Sequence, residues 1–212
     1  MATITAFDNI NKLNDAEERR YDEYFGEMRI SAQQRRKRVE LAEILEDIVL
    51  FLFALYVAAR TLGEDVDRKA AEKEYRRQLE DALAKQNIYP EVMEAYFSDV
   101  VPEEIRVTDD RYMDDEYWTS EKRAKVIASE DANTIMNAQE YQTSVDAGFK
   151  NKQWLSMKDE RVRPTHVEVD DEVMPIDEPF VVGSSLMMFP RDTSLGASAD
   201  EIVNCRCSTV YF

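Results

Sequence analysis

Ile48-Val49-Leu50-Phe51-Leu52-Phe53-Ala54-Leu55-Tyr56-Val57-Ala58-Ala59 is an unbroken apolar run bordered by Asp47 and Arg60. A bilayer crossing needs roughly 20 apolar residues, so this shorter run reads as a buried helix. It sits inside a segment from Ala32 to Leu62 that contains neither Pro nor Gly, and Gly63 stands where a left-handed residue closes a helix. A helix with one apolar stripe can lie on a surface, but one that is apolar on every side must be enclosed. Phe51, Leu52, Phe53 and Tyr56 therefore belong either to the centre of an intramolecular bundle or to a surface kept for a partner subunit.

Outward from this run the chain stays helical in character. Asn14, with Glu17 three residues later, is a fair N-cap for a short arm helix through Glu27 that offers Tyr21, Tyr24 and Phe25 as contacts. Val66 to Asn87 is dense in charge with a sparse stripe at Ala70, Leu79 and Leu83, which predicts a helix with one solvated face. Pro90 opens a short helix through Phe97. Ser98 to Tyr117 then gathers Asp99, Glu103, Glu104, Asp109, Asp110, Asp114, Asp115 and Glu116 against Arg106 and Arg111, and reads as a solvated acidic linker. It lacks the glycine and ligand rhythm of a calcium loop. A further helix starts at Thr119 or Ser120 and ends near Gly148, with Ala124, Ile127, Ala128, Ile135, Ala138 and Val145 on its stripe.

Beyond Gly148 the texture changes to short β-prone pieces broken by Pro164, Pro175, Pro179, Gly183, Pro190 and Gly196. The expected fold class is α+β. Its expected divisions are an N-terminal arm over 1–31, a helical domain over 32–98, the acidic linker over 99–117 and a small mixed domain over 118–212. The basic cluster Arg35, Arg36, Lys37 and Arg38 is expected to be hydrated on a helix face.

The 212 residues carry 27 Lys+Arg against 44 Asp+Glu, a formal charge of −17. Such a surface repels phosphate backbones, so contact with DNA is local at most. Cys205 and Cys207 are the two cysteines, which excludes a secreted disulfide framework and points to a reducing compartment. Met1 to Asn11 shows no secretory signal, and no membrane contact is expected.

The closing segment Ile202 to Phe212 reads as one strand, with Cys205 and Cys207 on the same face as Val203, Thr209 and Tyr211. Neighbours two apart on a strand are badly placed for a mutual disulfide, so the thiols are either packed in the core or two arms of a metal site. The single histidine, His166, is the obvious third donor, and Asp159 a fourth, which would make a closed structural zinc site. Pro164 disfavours the helical region at Arg163, so Asp159, Arg161 and Arg163 are expected on one face of an extended piece. Asp159 then pairs with an arginine there or with Arg206, tying this loop to the last strand.

Taken together, Arg123-Ala124, Ile127-Ala128, Glu130, Lys152-Gln153-Trp154, Asp159-x-Arg161-x-Arg163-x-x-His166, Asp177-Glu178-Pro179-Phe180, Pro190 and Asn204-Cys205-Arg206-Cys207 resemble the phage Mu protein F-like family of minor head, or head-morphogenesis, proteins. The resemblance covers about Thr119 to Phe212. The family usually has a glycine shortly after the His, in a Leu-Asp-Gly turn, where this chain has Val169-Asp170-Asp171; Asp can also visit the left-handed region. The resemblance implies a structural protein without enzymatic activity or required cofactor. It further implies association with the phage portal protein and with major capsid or scaffold proteins. Its place would be the interior of the procapsid or virion near the portal, after assembly in the host cytoplasm, with an influence on genome packaging or delivery. Trp154, Asp159, Arg161, Arg163, Asn204 and Arg206 are the expected clasp. Two alternatives stand beside this reading. One is a divergent ADP-ribosyltransferase-like or nuclease-like enzyme using Arg161, Arg163, His166 and Glu201; the other is a zinc-stabilised adaptor that binds only proteins.

Overall fold

The computed structural model describes residues 21–88 and 93–212, so the N-cap expected at Asn14 and the helix start expected at Pro90 lie outside the described residues. Helix α1 is Asp22–Phe25; Phe25 and the preceding Tyr21 are buried in the core of the helical bundle. Helix α2, Ala32–Leu62, is the long apolar helix. Ser31 caps it by accepting from the Gln34 N–H while the Gln34 side chain reaches back to the Ser31 N–H, and Gly63 closes it at φ 69°.

Leu52, Phe53 and Tyr56 are buried within the chain's own core, whereas Phe51 is 44% exposed. Of the four residues read as a partner surface, three are thus internal. Helix α3, Arg68–Lys85, capped by Asp67, lies on one side of α2 and buries Ala71, Tyr75, Leu79 and Leu83; Ala70 faces outward.

The acidic stretch is not a linker. A turn of π-helix over Tyr96–Val100 leads directly into helix α4, Val101–Arg111. Val101, Ile105 and Thr108 recur at helical spacing and are buried, while the acids other than Glu104 occupy the outer face. Arg106 pairs there with Glu103 and Asp110, and Arg111 with Asp114. Three inward residues among so many charges were enough to hold the helix to the bundle.

Helix α5, Glu121–Asp146, begins at Ser120, whose hydroxyl accepts from the Arg123 N–H. It is buried on two sides. Ala124, Ala128, Ala132, Ile135 and Ala138 share one hydrophobic cluster with α2, α3 and α4 that extends from Tyr21 to Met157, across the division expected near residue 118. Its other side meets the mixed region. Strand β1, Asn151–Leu155, is the middle of a three-stranded antiparallel sheet, flanked by β2, Val173–Pro175, and β5, Ser208–Tyr211. Trp154 stands opposite Thr209. Strands β3, Phe180–Val182, and β4, Ser185–Met187, form a separate two-stranded ribbon. Helix α6, Pro164–Glu168, and helix α7, Ala199–Ile202, complete a second core of Trp154, Val169, Phe180, Val182, Met187, Ile202, Cys205 and Cys207. The fold is α+β.

The bundle core holds a carboxyl pair, Glu104 on α4 and Asp131 on α5. The Tyr96 hydroxyl donates to Asp131 Oδ2 at 2.9 Å. Burial raises both acids, Asp131 to about 6, and a protonated Glu104 supplies Asp131 with a further donor. Between the ordinary carboxylate value near 3.8 and about 6 the folded chain holds a proton that the unfolded chain has lost, so stability falls as pH rises through that window. Denaturant melts across it, compared with Asp131→Asn, should show this slope in the wild type and a flatter one in the variant.

Candidate metal centre and clasp

Pro164 occupies the first turn of α6, with Arg163 before it in extended backbone at ψ 148°. That short helix turns His166 inward, where it is 1% exposed. Ahead of it, Asp159 to Val162 is a tight bend and not the extended piece expected: Val162 N donates to Asp159 O at 3.2 Å and Arg161 N to Asp159 Oδ1 at 3.0 Å. An Asp side chain can cap its own turn, and the bias imposed by Pro164 acts only on Arg163, which is extended, and does not reach the bend before it.

The closing segment also departs from a single strand. Val203 and Asn204 turn after α7, and Asn204 has φ 59° while its N–H donates to Glu130 Oε1 at 3.0 Å. Pairing therefore starts only at Ser208. Cys205 and Cys207 still point the same way, into the core, whereas Val203 lies exposed.

The two pieces lie side by side. Arg206 Nη2 donates to both oxygens of Asp159, at 2.9 and 2.7 Å, and Arg163 Nη2 donates to the Val203 carbonyl. Arg161 lies outside, 3.5 Å from Asp159 and within reach of the Glu23 carbonyl. Trp154, fully buried, stands edge-on to His166 and Phe180, with ring centroids 5.6 and 5.3 Å apart. Asp171 takes the place of the family's turn glycine at φ 65°, and its N–H donates to Trp154 O at 2.9 Å, so the left-handed turn forms without glycine.

His166 Nδ1 lies 3.4 Å from Cys207 Sγ and 3.6 Å from Cys205 Sγ, and the three ligand atoms all fall within 4.8 Å of one another. Asp159 is not part of this group, because Arg206 draws its carboxylate away. Glu201 comes in instead from α7, its Oε2 3.0 Å from His166 Nε2 and accepting from Thr165 Oγ1 at 2.8 Å. Gly183, at φ 59°, lets the β3–β4 turn pass over Glu201; a Cβ there would meet Glu201 Oε1 at 2.5 Å.

Electrostatics reflect this packing. Burial opposes charge on His166, but the Cys205 thiol and the Glu201 carboxylate outweigh it and raise its pKa. The hydrogen bond between the thiols pushes Cys205 down and Cys207 up, so one proton is shared across the pair. Burial also works against the Asp159 carboxylate, yet Arg206 holds it below its ordinary value.

Several supporting residues gave no sequence signal as a site. Arg38, from the cluster expected to be hydrated, is completely buried; its Nη1 and Nη2 meet Glu140 Oε1 and Oε2 at 2.8 and 2.9 Å. Its remaining donors meet Asn133 Oδ1 at 3.1 Å and Asn137 Oδ1 at 2.9 Å. The amide nitrogens of Asn133 and Asn137 then donate to the Cys207 carbonyl at 3.1 and 3.2 Å. Arg191 makes a second stitch, to Thr134 Oγ1, the Ile202 carbonyl and Glu130. The signal available was spacing: Asn133 and Asn137 lie four apart on the helix, one turn from each other on the same face. Beside the clasp, Lys122, Lys125, Arg161 and Arg206 help line a pocket of about 390 Å³.

A curated protein, the NAD(+)--arginine ADP-ribosyltransferase EFV of Enterococcus faecalis (strain ATCC 700802 / V583), is 31% identical over 104 residues, covering 47% of this chain. The match spans 21% of that protein's length. No solved structure matches the chain. The family model described as phage Mu protein F like protein matches residues 70–210. That span runs from within α3 into β5 and contains every residue of the clasp and of the His/Cys cluster, and on it the chain belongs to the phage Mu protein F like protein family.

Proposed function

We propose that this phage head protein is a minor component that associates with the portal inside the procapsid and docks there through the outer face of α2. The observation that carries the reading is a row of apolar side chains along that helix: Phe51, Leu55 and Leu62 are 44, 37 and 69% exposed, spaced at helical intervals. Ala58 continues the row. The C-terminal half supplies the rigid body behind it, because α5 packs against α2 on one side and carries the clasp on the other. Major capsid or scaffold proteins are the further candidates for contact. The acidic surface keeps the chain off bulk DNA, and local contact with a phosphate backbone falls to Lys122, Lys125 and Arg161 beside the clasp.

Co-purification with the portal protein of the same phage tests this. Phe51→Asp combined with Leu55→Asp should abolish capture while leaving the thermal melt within about 3 °C of wild type, since both side chains lie at the surface and outside the buried core. Equal capture by the double variant would refute the docking face.

The similarity to an ADP-ribosyltransferase motivates a second reading, an enzymatic one. Three of its four suspects do not line an open cleft: His166 and Glu201 are buried and bonded to each other, and Arg163 is spent on the Val203 carbonyl, which leaves Arg161 alone beside the pocket next to the clasp. This favours a scaffold role. NAD+ turnover that disappears in Arg161→Ala would favour the enzyme.

A further inference from the structure

We propose that His166 Nδ1, Cys205 Sγ and Cys207 Sγ bind a single zinc ion as a structural staple, with an oxygen ligand in the fourth position and Glu201 orienting the imidazole from behind.

The first support is convergence. The chain has one His and two Cys, and all three meet in one buried cluster although about 40 residues separate the His from the cysteines. The second is edge length. Zn–S near 2.3 Å and Zn–N near 2.0–2.1 Å at a tetrahedral angle require N···S of about 3.5 Å. Here the two N···S distances are 3.4 and 3.6 Å.

The third support is the outer shell. Glu201 accepts from the nitrogen that faces away from the sulfurs, which fixes the ring and leaves Nδ1 free to ligate. Gly183 allows the backbone to close over that carboxylate. The donor loop is also held before any ion arrives. Tyr24 donates to the Cys205 carbonyl at 2.9 Å, Arg206 is fixed by Asp159, and Asn133 and Asn137 hold the Cys207 carbonyl.

Mixed sulfur and imidazole donors in a tetrahedral arrangement select zinc over oxygen-preferring ions. With every Cys and His used, the fourth ligand is an oxygen donor. The thiols are 2% exposed, which suits a structural ion and not a reactive nucleophile. Such an ion would join α6 to the segment entering β5, two pieces distant in sequence. The inference stands apart from the docking face, since a zinc staple is compatible with any partner.

The experiment is metal analysis of the full chain, purified without a histidine tag and without chelator. The expected result is one zinc per chain, and a fall in melting temperature of about 10 °C or more on chelation, reversed by added zinc. Cobalt(II) substituted for zinc should give thiolate-to-metal charge-transfer absorption and tetrahedral d–d bands. Cys205→Ser and Cys207→Ser should each lose the metal. Asp159→Asn should keep one zinc, and Glu201→Gln should weaken it roughly 10- to 100-fold in competition with a chelator. If the serine variants fail to fold, the cobalt spectrum of the wild type decides. A chain that refolds in excess zinc or cobalt yet carries none, with two freely titrating thiols and a melt indifferent to chelator, would overturn the proposal. Loss of the ion in Asp159→Asn with no change in Glu201→Gln would overturn the ligand set.

Discussion

Arg38→Ala is expected to destabilise the fold by about 3–5 kcal/mol, the cost of removing one partner from a buried, hydrogen-bonded ion pair. The guanidinium is fully buried and spans two helices, meeting both Glu140 oxygens and the Asn133 and Asn137 side-chain oxygens. Truncation leaves a carboxylate and two amide oxygens facing a void, and it frees the amides that hold the Cys207 carbonyl. A total stability of roughly 5–15 kcal/mol makes this a large share. Arg38→Lys should recover little, because a point charge cannot serve the carboxylate and both amides together. Urea melts of the three proteins check this, and a loss under about 1 kcal/mol for the alanine variant would refute it.

Trp154→Ala should cost a similar 3–5 kcal/mol through a different cause, a cavity in the second core. Trp154 is wholly buried, packs its edges against His166 and Phe180, and sits on the central strand opposite Thr209. Its indole N–H faces the Cys207 thiol, a weak acceptor, so the loss is chiefly one of packing. Trp154→Phe should therefore recover more than half of the stability. A variant that retains bundle helicity but loses near-ultraviolet ellipticity would place the damage in the second core. Loss of both signals in one transition would show that α5 makes the two cores fold as a unit.

Both predictions fall on residues whose setting was hidden at different depths. Trp154 was singled out because it belongs to an ordered set of elements, and the structure places it in the second core against His166 and Phe180. Arg38 was misread, because a run of four basic residues at the start of a helix gives no hint of which one turns inward. The acidic stretch was misread for the same reason: composition describes the many solvated residues of α4, while the three that decide its fate are spaced at helical intervals among them. The closing strand was read too long, since the Asn204 N–H at the turn donates to Glu130, 74 residues away.

What the sequence by itself determined is local or periodic: the long apolar helix with its glycine stop, a helix start at Thr119 or Ser120, the α+β texture, the family and the three metal-type donors. These come from short-range backbone preferences and from hydrophobic spacing, which act within a few residues. Only the tertiary structure decided that Leu52, Phe53 and Tyr56 are covered by their own chain, that Asp159 serves Arg206 and not the thiols, and that Glu201 stands behind His166. Each of those outcomes is a competition between distant polar or apolar groups for one partner, and burial, which settles such competitions, exists only once the chain has closed on itself.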